Sequence, residues 1–338
     1  MNAHFFALLP ALVITAVILD LLPRRPRRGL YFGITTGEPF ARSDEGLGIA
    51  RRYRLMVWAG ALLALLLLPL THGALPVFAQ MAVGAAAWLH ARRLVAPHAI
   101  QPPSVRTAVL EAEPSTPANV LLPLVVAFVM LAASAALLTL NYGALPERIP
   151  THYGITGQAD AFHAKTPVRA AMPVVIGLLI WLLMAMNVFG IIHGTRRGGA
   201  PETRLAREAQ RAYFARLLAW LELAISGLFA CIAISPVVSA QRLAGSGWIV
   251  PVLTVMLLIG PVWAVLRWKE QAGGSGDDTP DACWMGGLLY WNPGDPALMV
   301  ERRDGVGYTL NFAHPFAWAQ GLLVLALVAL PLVIYSAR

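Results

Sequence analysis

Apolar residues along this chain gather into eight stretches of about twenty, and polar residues collect in the gaps between them. The stretches fall near 5–22, 55–72, 75–91, 119–142, 168–193, 217–240, 248–266 and 317–335. A helix needs about 20 mostly apolar residues to cross the hydrocarbon core of a bilayer. The pattern therefore predicts an all-α integral membrane protein with eight transmembrane helices. Only "THGALP" lies between the second and third stretches, which predicts a tight helical hairpin. Prolines inside the stretches (Pro10, Pro69, Pro123, Pro173, Pro236, Pro251 and Pro261) sit mostly near their ends, where a missing backbone donor is tolerated.

Composition agrees with that reading. Of 338 residues, 57% are hydrophobic and 13% charged, with a mean hydropathy of +0.62. Soluble proteins carry about 25% charged residues, so a surface this poor in charge must face lipid. The net charge of +8 first raises nucleic acid as a partner. The placement of the basic residues argues against it. With the N-terminus outside, the segments 23–54, 92–116, 194–216 and 267–316 are cytoplasmic, and they hold 21 of the 26 Lys and Arg residues. Such a bias sets orientation in the membrane; the expected topology is N-out/C-out and the expected location the bacterial inner membrane, multi-pass. The basic cluster "PRRPRRG" follows the first apolar run instead of preceding it, so that run reads as an uncleaved anchor. Cys231 and Cys283 imply no disulfide framework.

The polar gap from Leu145 to Lys165, "LPERIPTHYGITGQADAFHAK", belongs to a predicted extracytoplasmic loop over 143–167. It divides helices 1–4 (1–142) from helices 5–7 (168–266). "LPERIP" favours extended backbone before each proline, and Gly154 and Gly157 offer turns. Its length exceeds what a connector needs, which points to a surface that meets something. His152, Tyr153, Asp160, His163 and Lys165 are the candidate ligand-binding residues. Imidazole and carboxylate suit zinc or copper, but the H-x7-D-x2-H spacing matches no metal signature, and no metal is assigned. A loop held by hydrogen bonds and an Asp160–Lys165 pair is the favoured reading. A recognition surface for a peptide or cell-wall component is the other.

This stretch resembles the motif of a bacterial membrane family, domain of unknown function 1648. The matching residues are Leu145, Pro146, Ile149, Pro150, His152, Gly157, Asp160, Phe162 and Lys165; His163 departs from the small residue usual there. The motif also occurs in Sdp-type immunity proteins. That resemblance implies a polytopic protein that protects a producer cell from its own secreted toxin, and in the best-known case signals to a repressor. A second stretch, from Trp284 to Phe312, resembles the family of unknown function 5808, through Tyr290, Asn292, Asp295, Arg303 and Asn311 among others. The two motifs span about 15% of the chain. The second lies in a predicted cytoplasmic segment (267–316), before the last helix (317–338). There, strands near 287–291, 297–303 and 307–312 are expected to form a β-meander, preceded by a flexible acidic linker, "QAGGSGDDTPD".

Polar residues within the apolar stretches are few. Asn187 and His193 suit interhelical hydrogen bonding, Glu222 in "WLELAISGLF" is an expensive residue to place in a membrane, and Asp20 is expected to pair with Arg24 at the surface. "PETRLAREAQRAYFARLL" reads as a basic helix against headgroups, running into the sixth stretch. "FGIT" and "YGIT" faintly resemble an inverted repeat. No catalytic or phosphate-binding motif is present, so neither an enzyme nor a cofactor is expected. The expected function is a receptor-like immunity or envelope-stress sensing protein. Its partners would be the bilayer, a secreted peptide or envelope ligand outside and a cytoplasmic regulator inside, with no nucleic acid. The alternative is a small-molecule or peptide exporter lined by Asn187, Glu222, Ser226 and Thr254.

Overall fold

A computed structural model describes residues 3–24, 29–37, 39–70, 75–100, 119–153, 157–194, 201–238, 279–303 and 307–336. The chain is mainly helical. Its helices are α1 (Ala3–Leu21), α2 (Asp44–Leu67), α3 (Leu75–Val95), α4 (Leu121–Leu140), α5 (Pro167–His193), α6 (Pro201–Val238) and α7 (Pro315–Ser336). Four of these are long and apolar enough to cross a membrane: Leu121–Leu140, Pro167–His193, Arg207–Val238 and Pro315–Ile334. They coincide with the fourth, fifth, sixth and eighth apolar stretches. α1, α2 and α3 occupy the first three; the described apolar part of α1 is the shorter Leu12–Leu21, and polar residues dilute α2 and α3. α2 begins at an Asp44–Glu45 turn capped by Ser43 and carries Arg51, Arg52 and Arg54 before its apolar part, and α3 includes Gln80, His90, Arg92 and Arg93. The seventh stretch, 248–266, lies outside the described residues, as does "YGIT" beyond Tyr153.

The chain divides into two units. The first combines Met1–Thr107 with Lys269–Asn292 and Glu301–Thr309. α1, α2 and α3 pack against one another, with the hairpin of β1 (Leu30–Tyr31) and β2 (Ile34–Thr35) against them. The hairpin turns on Phe32 and Gly33, both with positive φ, as two-residue hairpins with the right twist require. That backbone is unusual for phenylalanine, and burial of the ring offsets the strain. Phe32 lies within 4.8–5.2 Å (centroid to centroid) of Tyr31, Tyr53 and Trp88. Asp20 is buried here and accepts a hydrogen bond from the Trp58 indole at 3.3 Å. That bond ties α1 to α2; the Arg24 side chain, the expected partner of Asp20, lies outside the described residues. The outward faces of α2 and α3 carry Leu55, Leu62, Leu66, Phe78 and Met81, as a lipid-facing surface would.

The second unit combines Ala108–Trp268, Pro293–Val300 and Leu310–Arg338. α5 and α6 pack against each other, α4 packs on both, and α7 packs on α5. Gly177 permits the closest approach: a Cβ there would stand 2.7 Å from the Leu131 side chain and 3.1 Å from Phe229. α6 is one continuous helix, so the basic segment does run unbroken into the apolar one.

The C-terminal segment departs from the expected meander. Trp284–Met285 (β5) pairs with Leu289–Tyr290 (β6), and Met299–Glu301 (β7) pairs with Tyr308–Leu310 (β8), as two separate two-stranded ladders. Gly286 and Gly287, both with positive φ, fold the first ladder back onto Trp284. Pro293, which lacks an N–H, follows β6 and ends it. The three-stranded reading overlooked the Trp284–Met285 strand and the glycine turn after it.

Candidate functional site

The stretch singled out in the sequence forms a β-hairpin between α4 and α5. Arg148–Tyr153 (β3) runs antiparallel to Ala159–Ala164 (β4), in the register Arg148↔Ala164, Ile149↔His163 and Pro150↔Phe162, and then shifts at His152 and Tyr153. Its apolar residues fasten it to the helix ends. Leu145 and Ile149 are buried with Leu138 of α4 and Ala170 of α5, and Tyr142 packs against them. β4 leads straight into α5, where Thr166 caps the first turn by accepting from the Arg169 N–H at 3.2 Å and Pro167 takes the first helical position. Proline is preorganised for that place.

Lys165 locks the base of the hairpin. Its N–H donates to the Glu147 carbonyl (2.8 Å) and its Nζ to the Leu145 carbonyl (3.0 Å). Nζ also stands 3.5 Å from the Glu147 carboxylate and lies over the Tyr142 ring. The expected Asp160–Lys165 pair is not formed. Five residues apart along an extended strand, the two side chains leave opposite faces, and Asp160 turns instead to His152.

The His152 Nδ1–Asp160 pair is the exposed polar feature of this hairpin: the two side chains are 68% and 54% accessible. Asp160 accepts from Nδ1, which leaves Nε2 pointing away from the pair, the usual arrangement by which a carboxylate orients an imidazole. His163 does not join them; its Nδ1 meets the Thr151 hydroxyl at 2.7 Å. The three residues H-x7-D-x2-H therefore do not converge, and among the described residues no group of three His, Cys, Asp or Glu side chains could hold a metal ion. The Tyr153 hydroxyl is buried beside Ser235 of α6 without meeting it in full hydrogen-bond geometry. Burial pushes this phenol up from its ordinary range, and the serine opposes the shift. Of the five candidate residues, His152 and Asp160 face outward, while Tyr153, His163 and Lys165 hold the hairpin in place.

The C-terminal candidates turn inward. Tyr290 is fully buried against Trp284, and its hydroxyl accepts from Asn292 at 3.0 Å. Arg303, 3% exposed, donates to the Gly33 carbonyl (2.8 Å), the Thr35 hydroxyl (2.9 Å) and the Asp281 carboxylate (2.7 Å), and stacks over Trp284. Asp281 in turn accepts from the N–H and hydroxyl of Thr35. Arg92 reaches the same Gly33 carbonyl at 2.6 Å, and burial holds its guanidinium below the usual range. Sequence reasoning missed Gly33, Thr35, Arg92 and Asp281. In the sequence "FGIT" offers only a faint repeat and Asp281 falls in the expected flexible linker, whereas in the structure it opens a short helical turn, Asp281–Cys283. Separately, Asp295 caps its own turn by accepting from the Ala297 N–H, and buried Asn311 donates to the Asp295 carbonyl.

Asn187 donates to Gln320 of α7 at 3.2 Å and to the Leu183 carbonyl, the interhelical role expected of it. Glu222 is enclosed within the second unit and accepts from the Ser226 hydroxyl.

Residues 129–177 match the family described as Domain of unknown function (DUF1648), and residues 293–318 match the Family of unknown function (DUF5808). The first match takes in the second half of α4, the whole hairpin and the start of α5. The second includes Asp295, Arg303 and Asn311 and begins just after Tyr290 and Asn292. No curated protein and no solved structure matches the chain.

Proposed function

We propose that this chain is a receptor-like immunity or envelope-stress sensing protein of the bacterial inner membrane. In this reading it spans the bilayer eight times, N-out/C-out, and the 145–165 hairpin meets a secreted toxin, peptide or envelope ligand outside. The supporting observation is the exposed His152–Asp160 pair on a hairpin that Leu145, Ile149 and Lys165 fasten to the helix ends. A rigidly mounted polar pair loses little freedom on binding, which favours recognition. The concentration of 21 of 26 Lys and Arg in alternate gaps supports the orientation, and the resemblance to Sdp-type immunity proteins supports the ligand class. A cytoplasmic regulator would meet the 281–311 segment, where Met285, Leu288, Leu289 and Trp291 are exposed.

The test is in-cell photo-crosslinking from Gln158, an exposed residue beside the pair, since the Tyr153 hydroxyl is turned inward. A secreted peptide or envelope protein is the expected capture, lost in the Asp160→Ala background. Capture restricted to the protein's own segments refutes the receptor reading. The exporter alternative draws on Glu222, a buried carboxyl within a candidate span, and predicts failure on substitution at Glu222 or Asn187 with the hairpin pair dispensable.

A further inference from the structure

Glu222 is hard to explain as a structural residue. It lies on α6 inside the candidate span Arg207–Val238, and none of its surface is exposed. One oxygen, Oε1, accepts from the Ser226 hydroxyl one turn along the helix. The other, Oε2, is buried and has no hydrogen-bond partner among the described residues.

Among the described residues, the helices packed around it offer no compensating charge. Gly177 of α5 meets Phe229 of α6 and Leu131 of α4, and Gly227 meets Met130 of α4, so these two helices flank the stretch of α6 that begins at Glu222. α4 carries no Asp, Glu, Lys, Arg or His anywhere along its length. α5 carries only Arg169 in its first turn and His193 at its last residue. On α6 itself, Arg211 is engaged by the Ile192 and Gly194 carbonyls, and Arg216 turns back to the Ala212 carbonyl. Glu208 and Tyr213 lie two or more turns before Glu222, and Cys231 more than two turns after it. Ser235 is engaged with the Cys231 carbonyl.

A bare carboxylate oxygen enclosed by apolar helices is strongly disfavoured; a bound proton removes the charge. Metal cations are a poorer fit, because a hard cation takes six or more oxygen donors, and among the described residues only Glu222 and Ser226 offer side-chain oxygens at this place. We propose that Glu222 is a proton-binding site within the α4–α6 bundle, occupied by an exchangeable proton. Ionisable groups at such positions serve proton relays, so the site marks this bundle as the part of the molecule that can respond to proton activity. The inference stands apart from the ligand-binding reading of the hairpin.

An apolar carbodiimide adds only to a protonated carboxyl in an apolar setting, leaving a stable acylurea on that residue. The full-length protein in liposomes would be treated with it at about pH 6 and about pH 9, digested, and mapped by mass spectrometry. The expected result is an adduct on Glu222 that is several-fold more abundant at the lower pH. It should be absent from Glu222→Gln, with a thermal midpoint for that variant close to the parent's. No adduct on residue 222, or equal yields at both pH values, overturns the proposal. So does a Glu222→Gln variant that loses its fold, since the neutral isostere should suit a site that holds a neutral acid. Suppression of labelling by sodium at constant ionic strength overturns the proton in favour of a metal cation.

Discussion

The hairpin at 148–164 and the segment at 281–311 carry the two family motifs of this apolar chain, and they use their polar side chains in opposite ways. In the C-terminal segment the distinctive side chains point inward: Tyr290 and Asn311 are fully buried, and Arg303 and Asp295 nearly so. In the hairpin the inward work falls to Leu145, Ile149 and Lys165, and His152 and Asp160 remain exposed. A family motif is thus no guide to function by itself. Most of its residues can be there to fold the segment, and those left facing outward with no structural task are where recognition should be sought.

That contrast is open to direct attack. Arg303→Ala should cause the largest loss, because it takes from Asp281 its ion-pair partner, leaving only the bonds from Thr35, and removes the ties to Gly33 and Thr35. Breaking a buried pair of this kind costs about 3–5 kcal/mol, and limited proteolysis should find the 281–303 segment cut far faster. Arg303→Lys should recover little, since one ammonium cannot reproduce a planar fork. Ile149→Ala should come next, at about 2–4 kcal/mol for a buried apolar truncation, read as a lowered thermal midpoint in detergent. Lys165→Met would remove the bond to the Leu145 carbonyl and should cost about 1–2 kcal/mol, with faster hydrogen exchange at the base of the hairpin as its signature. His152→Ala and Asp160→Ala should shift stability by no more than about 1 kcal/mol, as exposed pairs do, yet, under the proposed receptor function, abolish crosslinked capture from Gln158. A large stability loss in either would erase the distinction between the two regions. Tyr153→Phe should be the mildest, within about 0.5 kcal/mol of the parent, since the buried hydroxyl makes no complete hydrogen bond.

Much of the fold was legible because the signals are local. Apolar runs of helical length marked α4, α5, the apolar part of α6, and α7, and the two prolines of "LPERIP" marked extended backbone where the hairpin begins. The candidate site was legible only in outline. His152 and Asp160 could be singled out by type, but their pairing with each other, and the exclusion of His163 and Lys165, depended on which face of β4 each residue leaves and on the register shift in β3. The Trp284–Met285 strand was missed because two residues before a Gly-Gly turn carry almost no periodic pattern.

The amino-acid sequence by itself determined where the main apolar helices lie, four of them long and apolar enough for a membrane, and where the two polar motifs lie. Each of those follows from residues near one another along the chain, through propensity, proline and glycine geometry, and the length of an apolar run. Tertiary structure alone decided which polar groups meet. Arg303 finds Thr35 across 268 positions of sequence, Asp20 meets Trp58 across 38, and Glu222 is enclosed without a partner for its second oxygen among the described residues. A buried polar group takes whatever partner the packed helices bring within about 3 Å, and that distance is set by the fold as a whole.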